Sequence, residues 1–575
     1  MKKFIIALLS GAVLFTGTIA RADIAQIGDP GKAWSIPDDA QLGQQIQEFL
    51  DTQPGEQPSF LVRSDAAYAP TGDQRDFLED PTCPSATDAK CVGHPMRYQA
   101  VLPNCTGSSD VNCIADFGII DDSGATTSAS FSRTFPKKAL NQFVGDSSLN
   151  LPSGVAGSIY SLPGAAHAGG DKYYLAVTLQ GNTQDGSKFS AYNFSIKLFP
   201  VDLAPVNYGQ GGINSGYSQN NRGRSDGTKY WGMAGPGFGG NNFCVAAAVD
   251  ESLCAQRYAF PANIRYFVKV RLQQSPGGWL HGRIASPDIS IAKDGSNTVL
   301  TVAANPVAVP VVYKMYNYVD MPPALKSMYD AKKGAYVNDP WFIQDPANAN
   351  PGGRSAPNDD PTKRNVIISC EASSATCMEQ LKLWLPYVND QATALLSYWS
   401  VRTLSGGEMN NASSCFKDPN QVTGIVTTNS TQYSSGPPTF NKDDGTLNYQ
   451  VASPHYTTTK DVFKGTYDLV MRSDVARCLY GFSKAPINAT ISVTSADGTP
   501  QLATTVVGEK DGWLYLSAKN FEFSAPTVKA KLTQDAPAPV TPATTTKKPV
   551  SITCIKGKTS KVVKGSSCPT GFKRK

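Results

Sequence analysis

Histidine is scarce in this chain of 575 residues: four stand far apart, at His94, His167, His281 and His455. No two of the twelve cysteines have the two-residue gap of a zinc knuckle. A structural zinc site needs several such ligands at close spacing, so no metal is expected, and no cofactor either. Long apolar runs are missing too. Beyond residue 22 no stretch of about 18 apolar residues offers a membrane helix. Charged residues make up only 17%, whereas Gly and Pro together number 90. That balance suits a turn-rich extracellular β-protein better than a helical cytosolic enzyme.

What the chain does have begins at its first residues. Lys2 and Lys3 precede a mostly apolar run, residues 4–15, and Ala20-Arg21-Ala22 forms a small-x-small cleavage site. This reads as a secretory signal removed after Ala22. The first cysteine is Cys83, so no lipidated cysteine follows the leader. An even number of cysteines in an exported chain reads as disulfides. Cys83/Cys91, Cys105/Cys113, Cys244/Cys254, Cys370/Cys377 and Cys554/Cys568 form close couples, leaving Cys415 and Cys478 for one longer bridge. Spacing alone leaves the connectivity open.

Charge is unevenly placed. Residues 547–575 hold eight lysines, one arginine and no acid, and the leader adds Lys2, Lys3 and Arg21. Removing these twelve charges from the formal +5 leaves −7 for residues 23–546. A mildly acidic body therefore carries a strongly basic end, and only that end argues for an anionic partner. Nucleic-acid binding by the body is not expected, because its charge is negative and no recognition motif is present.

The clearest secondary-structure signal lies at residues 464–532. Ala489, Ile491 and Val493 alternate with threonine and serine, Asp497-Gly498 and Asp511-Gly512 mark turns, and Val528, Ala530 and Leu532 alternate with lysines. Period-two patterning broken by Asp-Gly signals antiparallel hairpins. A second hairpin is expected from residues 172–180 and 188–199, with Tyr173, Leu175, Val177 and Leu179 facing Tyr192, Phe194, Ile196 and Leu198 across one buried face. A third strand, residues 264–272, has Arg265, Lys269 and Arg271 on its outward face, read as solvated.

Helices are expected at four places. Leu42, Ile46, Phe49 and Leu50 recur at helical spacing after Pro37-Asp38-Asp39. Pro322-Pro323 opens a short helix through Lys333. Residues 373–385 and 390–404 also read as helical, the second capped by Asp390 and stopped by Gly406-Gly407. Residues 424–453 are polar, with two strands meeting near Asp443-Asp444-Gly445.

The fold class expected is thus mainly β: several antiparallel, sandwich-like sheets in a multi-domain chain, with a small helical insertion and a disulfide-tied basic tail. The regions are a signal (1–22), an N-terminal disulfide-rich region (23–118) and a main β body (119–320). A helical insertion (321–407), a C-terminal β-domain (408–533), a Pro/Thr linker (534–549) and a basic tail module (550–575) follow.

Two segments invite a ligand. Residues 208–240 contain eleven glycines, with aromatics and asparagines and no period of either kind. Such a loop is a surface excursion or a ligand platform, in which Tyr217, Tyr230 and Trp231 would stack on sugar rings and Arg224 would bond hydroxyls. In the tail, a short hairpin around residues 557–560 tied by Cys554 and Cys568 would present Lys556, Lys558, Lys561, Lys564 and Lys573 to an anionic envelope polymer.

Catalytic strings fail on inspection. Gly223-Arg224-Ser225-Asp226-Gly227 matches a nucleophile elbow, but no strand precedes it and no helix follows. Asp359-Asp360, Glu371 and Asp468 are candidates for glycoside hydrolysis by presence alone, since that chemistry needs two carboxylates across a scissile bond. Neither Asp359-Asp360 nor residues 441–445 have the alternating oxygen ligands of a calcium loop.

At the tail, ITC-x-KGK followed by CP-x-GFK resembles the endings of large secreted proteins of actinobacteria. Residues 465–532, with MRSDVARCLYGF and TTVVGEKDGWLYL, resemble the domain that precedes that tail in them, and GWLHGRI around Arg283 is similar to a further recurrent segment. The resemblance implies a compartment and an architecture and carries no active site. The expectation is an exported, non-catalytic protein at the cell surface or cell wall, binding a glycan or anionic polymer. The alternative is an extracellular polysaccharide hydrolase.

Overall fold

The computed structural model describes residues 44–49, 51, 58–65, 81–139, 141–205, 217–220, 230–233, 244–326, 366–483, 487–495, 499–501, 503–523, 526–534 and 551–575. The chain is mainly β, with large antiparallel sheets and few short helices. The strands that build the body are β1 (Gln44–Phe49), β2 (Met96–Val101), β3 (Cys113–Ile120), β4 (Lys172–Thr183), β5 (Ser190–Pro205), β6 (Arg265–Leu272) and β7 (Gly278–Asp294). They continue with β8 (Asn297–Asn317), β9 (Val366–Cys370), β10 (Ala394–Thr403), β11 (Val422–Thr428), β12 (Lys464–Arg472), β13 (Thr504–Lys510) and β14 (Trp513–Glu522). Four helices are short: α1 (Pro323–Lys326), α2 (Ala375–Trp384), α3 (Gly406–Met409) and α4 (Ser473–Tyr480).

The main sheet runs β2–β4–β5–β10–β7–β11–β12–β14–β13. Every pairing is antiparallel except β7–β11. A second sheet, β3–β6–β8 with the far half of β7, covers it. The two sheets share β7: residues 280–283 pair with β10, and residues 284–294 pair with β8 after a bulge at Ala285/Asp288. Bulges let a strand bend from one sheet into the next. Leu175, Val177, Leu179, Phe194, Ile196, Leu198, Trp399 and Val401 of the main sheet meet Tyr266, Val268, Val270, Leu272, Leu300 and Val302 of the second in one continuous core.

The hairpin of β4 and β5 forms, Leu175 opposite Leu198 and Val177 opposite Ile196, but Tyr192, expected on the buried face, is exposed where a bulge at Gln180/Gly181 shifts the register. Asp511-Gly512 closes β13 and β14 with both residues at positive φ, 51° and 79°, the requirement of a type I′ turn. At the other Asp-Gly, Val493 pairs with Gln501. The strands of residues 464–532 are shared between two sheets: β12, β13 and β14 join the main sheet, while Ile487–Thr494 and Thr527–Gln534 belong to a six-stranded sheet. Thr439–Asn441 and Thr446–Ala452 meet at Lys442–Gly445, as read.

Two expected helices are strands. Residues 44–49 are β1, inserted between β8 (antiparallel) and β9 (parallel). Gln45, Gln47, Glu48 and Phe49 are all buried, so the alternation that would have announced a strand is absent. Residues 394–403 are β10, hydrogen-bonded to β5 and β7 on its two edges. Apolar residues occupy both faces, and sheet pairing overrides the helical spacing. Asp390 caps nothing there: its carboxylate accepts from the backbone N–H of His455. Gly406-Gly407 opens α3 instead of stopping a helix, under the Ser405 cap. Helix α2 forms where expected, and α1 covers the described start of the 322–333 segment.

Bridges join Cys83–Cys91, Cys105–Cys113, Cys370–Cys377, Cys554–Cys568 and, over 63 residues, Cys415–Cys478. Cys254 is disulfide-bonded, and the side chain of Cys244 lies outside the described residues. No helix among the described residues is long and apolar enough to cross a membrane. The chain divides into two compact units, Met1–Ser483 with Asn488–Thr533, and Lys484–Ile487 with Gln534–Lys575.

The long bridge fastens the turn Ser414–Phe416 to α4. Closing a loop of that length removes about 4 kcal/mol of unfolded-state freedom. Cys415→Ser combined with Cys478→Ser is therefore expected to lower unfolding stability by up to about 4 kcal/mol in a denaturant titration, more than loss of the Cys105–Cys113 bridge.

Candidate functional site

The main sheet has one face in the core, and the other face is polar over its centre. Side chains alternate along each strand, so the residues between the core positions share that second face. The register lines them up in rungs. Thr178 (β4), Ser195 (β5), Arg402 (β10) and His281 (β7) form one rung. Lys197, Ser400 and Arg283 form the next. Gln99, Gln180 and Asn193 form a third, joined by amide hydrogen bonds of 2.6 Å (Gln180 to Gln99) and 2.8 Å (Asn193 to Gln180).

A hollow of about 390 Å³ lies against this face. Thr178, Gln180, Asn193, Ser195, Lys197 and Arg402 form its floor, and Asp51, Glu371–Ser373, Ser405, Glu408 and Tyr433 its other wall. The Cys370–Cys377 bridge pins the loop that carries Glu371. The backbone N–H of Tyr433 donates to the Ala372 carbonyl at 2.8 Å, tying that loop to the Tyr433 segment.

Behind the wall sits Arg283, fully buried. Its Nε donates to Asp51 Oδ2 at 2.5 Å, and its Nη1 donates to the carbonyls of Thr428 (3.0 Å) and Ser430 (2.7 Å). Its guanidinium lies 4.6 Å from the ring centre of Tyr433. The imidazole of His281 stacks on the same ring at 4.0 Å with an 8° tilt. Burial, reinforced by the charges of Arg283 and Arg402, holds the His281 pKa well below its ordinary value, so the ring is neutral. Tyr398 donates its hydroxyl to the Asp51 carbonyl at 2.8 Å and lies under the guanidinium of Arg257 at 4.7 Å. Cations, rings and a carboxylate thus alternate behind the hollow.

At the hollow itself Arg402 grips Glu408 through two bonds of 2.7 Å, and Ser405 completes a capping box with Glu408. Burial pushes the Glu408 carboxyl up, but the Arg402 hydrogen bond and charge outweigh it and the net direction is down. Burial pushes Lys197 down to about 8 against the pull of Asp51. Glycoside hydrolysis needs a carboxylic acid that keeps its proton. Glu408 is held by Arg402 and Asp51 is paired with Arg283, Glu371 lines the hollow exposed, and Asp390, whose carboxyl burial does push upward, does not line it. The arrangement is built to hold hydrogen-bonding groups still.

Of the residues singled out by sequence, Glu371 lines the hollow, exposed. Asp468 is buried and accepts from the Ser286 N–H (2.8 Å) and the Thr427 hydroxyl (3.1 Å). Asp359, Asp360, Ser225 and Arg224 lie outside the described residues. Residues 208–240, read as lacking any period, contain a hairpin of Tyr217–Asn220 with Tyr230–Met233, Gln219 opposite Trp231. The side chains of Tyr217, Tyr230 and Trp231 lie outside the described ones. Residues 441–445 form a turn in which Asn441 and Asp444 accept from backbone N–H groups of the turn. Arg265 and Arg271, expected to be solvated, donate to backbone carbonyls, of Ser286 and Ala303 and of Gly107 and Asp110.

In the tail, Ser551–Lys556 pairs with Thr559–Lys564 around Gly557-Lys558, and Lys573–Arg574 adds a third strand. Lys556, Lys558, Lys561, Lys564 and Lys573 are all exposed. The pleat puts Lys564 and Lys573 on the face of Ile555, and Lys556 and Lys561 on that of Cys554.

Sequence reasoning missed Asp51, Lys197, Arg402, Glu408 and Tyr433. A signal for the floor was present: between the core residues of β4 and β5 stand amides and hydroxyls with a single lysine, where a solvated face would carry more charge. No family, no curated protein and no solved structure matches this chain.

Arg283→Met removes the buried guanidinium paired with Asp51 and is expected to cost about 3–5 kcal/mol of unfolding stability, as for other broken buried pairs. Asp51→Asn should cost less than that, and the double variant less than the sum of the two. A denaturant double-mutant cycle with a coupling below about 0.5 kcal/mol would contradict the pair's role.

Proposed function

We propose that this chain is an exported, non-catalytic protein of the cell surface, whose body binds a glycan in the hollow on the main sheet and whose tail keeps it on an anionic envelope polymer. The observation that carries the first part is the face opposite the core: amides, hydroxyls and internally matched ion pairs left open as a hollow. Its volume falls in the range of small-ligand sites. A hydroxyl-rich ligand can exchange its bound water for these groups, whereas an apolar ligand gains little from them. Asp51 and Glu408 are already engaged by Arg283 and Arg402, so the remaining recognition falls to Gln180, Asn193, Ser195 and Thr178.

The tail reading rests on charge and shape. Its lysines project from both faces and the turn of a small cross-linked sheet, an arrangement suited to a flexible polyanion that wraps around it. A flat surface would meet only one face. Export and disulfide formation belong together, since the bridges require an oxidising compartment.

A glycan array probed with the intact protein is expected to yield binding to a restricted set of sugars, and Gln180→Ala with Asn193→Ala should weaken it at least tenfold with the fold retained. A blank array removes the body's part of the reading. For the tail, deletion of residues 549–575 is expected to release the protein from envelope fractions at low salt. The intact protein should come off near 1 M salt, where charges are screened within about 3 Å. Retention of the truncated protein would refute the anchoring role.

A further inference from the structure

A second hollow, of about 460 Å³, adjoins the first, and Glu408 lines both. One strap of chain connects them. Tyr433 stands on the first hollow, and the segment from Ser435 to Phe440 lines the second. Between them Gly436, at φ +89°, passes so close to Glu408 that a Cβ there would sit 2.7 Å from the Glu408 carbonyl oxygen. Only glycine fits that approach in that conformation. The Arg402–Glu408 pair is therefore the divider between two chambers with a common wall.

The chambers offer different surfaces. The first presents amides and hydroxyls from the sheet, and its aromatic residue Tyr433 is buried, with its ring face stacked on His281. The second presents Phe440, half-buried, together with Pro437 and Pro438, the exposed Lys442 and the serines Ser413 and Ser435. Phe440 is held edge-to-face by Tyr480 at 4.7 Å and 62°, and Tyr480 donates its hydroxyl to the Gly445 carbonyl at 2.9 Å. A ring fixed in this way presents an apolar face on which the C–H face of a sugar ring can lie.

From these features we infer that the two hollows form one groove for a chain of uncharged sugar rings, the first chamber gripping one ring by hydrogen bonds and the second stacking a following ring on Phe440. The inference rests on the glycan reading above and adds that the ligand is an oligomer. Each chamber has the volume of a separate small-ligand site, and a linked ligand engages the second at high effective concentration once it occupies the first. The ionisable residues that line the two hollows balance, Asp51, Glu371 and Glu408 against Lys197, Arg402 and Lys442, so no net positive charge draws a polyanion.

The test is calorimetric titration of the full chain with glucose and N-acetylglucosamine oligomers of one to six rings. Affinity is expected to rise at least tenfold between one ring and about three or four, then level off. Phe440→Ala and the volume-keeping Phe440→Leu should abolish that rise while leaving single-ring affinity within about twofold, and Asn193→Ala should weaken every length alike. Equal affinity at all lengths, or a single-ring loss in Phe440→Leu as large as the oligomer loss, overturns the two-chamber groove and leaves the glycan reading standing. Absence of binding at every length overturns both.

Discussion

One buried guanidinium holds the centre of this protein. Arg283 lies in β7, the strand that passes from the main sheet to its cover, and it reaches three separate segments: Asp51 after β1, the carbonyls of Thr428 and Ser430, and the ring of Tyr433. Taking a cation out of water costs several kcal/mol and is tolerable only when a counter-charge and hydrogen bonds replace the solvent. Those replacements dictate local structure. The 427–432 run, six polar residues all buried, can be interior only because its carbonyls and hydroxyls are spent on Arg283, Asp468, Pro310 and Ser453. Close packing on the same strand adds to this: a Cβ at Gly424 would stand 2.5 Å from the Trp279 ring, so the parallel β7–β11 pairing requires a glycine there.

The wall of the hollow follows from that anchor. Asp51 and Tyr433 are both lining residues and both partners of Arg283, so their positions are set from behind the hollow. Arg402 and Glu408 are fixed in the same manner by a two-pronged bond and a capping box. Groups locked before a ligand arrives lose little freedom on binding it, which is where much of the affinity of polar sites originates.

What could be read from residues alone was the part governed by local pattern. The alternation in β4, β5, β6 and the Ile487–Thr494 strand, the Asp511-Gly512 turn and the long Cys415–Cys478 bridge all appear where period, turn chemistry and cysteine spacing put them. Strands β1 and β10 did not yield to that reading, since each is sandwiched between two neighbours and covered on both faces, which erases the period-two signature. The hollow was illegible for a different reason. Asp51, Lys197, Glu371, Arg402 and Tyr433 come from five separate stretches of chain, and only the register of β5 on β10 on β7 brings their rungs into line. GWLHGRI did stand out as a segment, yet nothing in its letters says that Trp279, His281 and Arg283 are buried on one face.

The order of these dependencies has a consequence for how the site can vary. The core face of the main sheet is set by Leu175, Val177, Phe194, Ile196 and Val401, whose packing tolerates few changes of volume. The interleaved positions Thr178, Gln180, Asn193 and Ser195 carry none of that packing and line the hollow, so their identities can change without repacking the core. Along β4 the odd positions from Tyr173 to Leu179 hold the core between the sheets, while Thr178 and Gln180 line the hollow and Tyr174 and Ala176 pack into a second apolar cluster. Lys197 and Arg283 mark the limit of that freedom. They occupy the polar face but are buried with Asp51 beside them, and replacing either alone would disturb the charge balance of the wall as well as its surface.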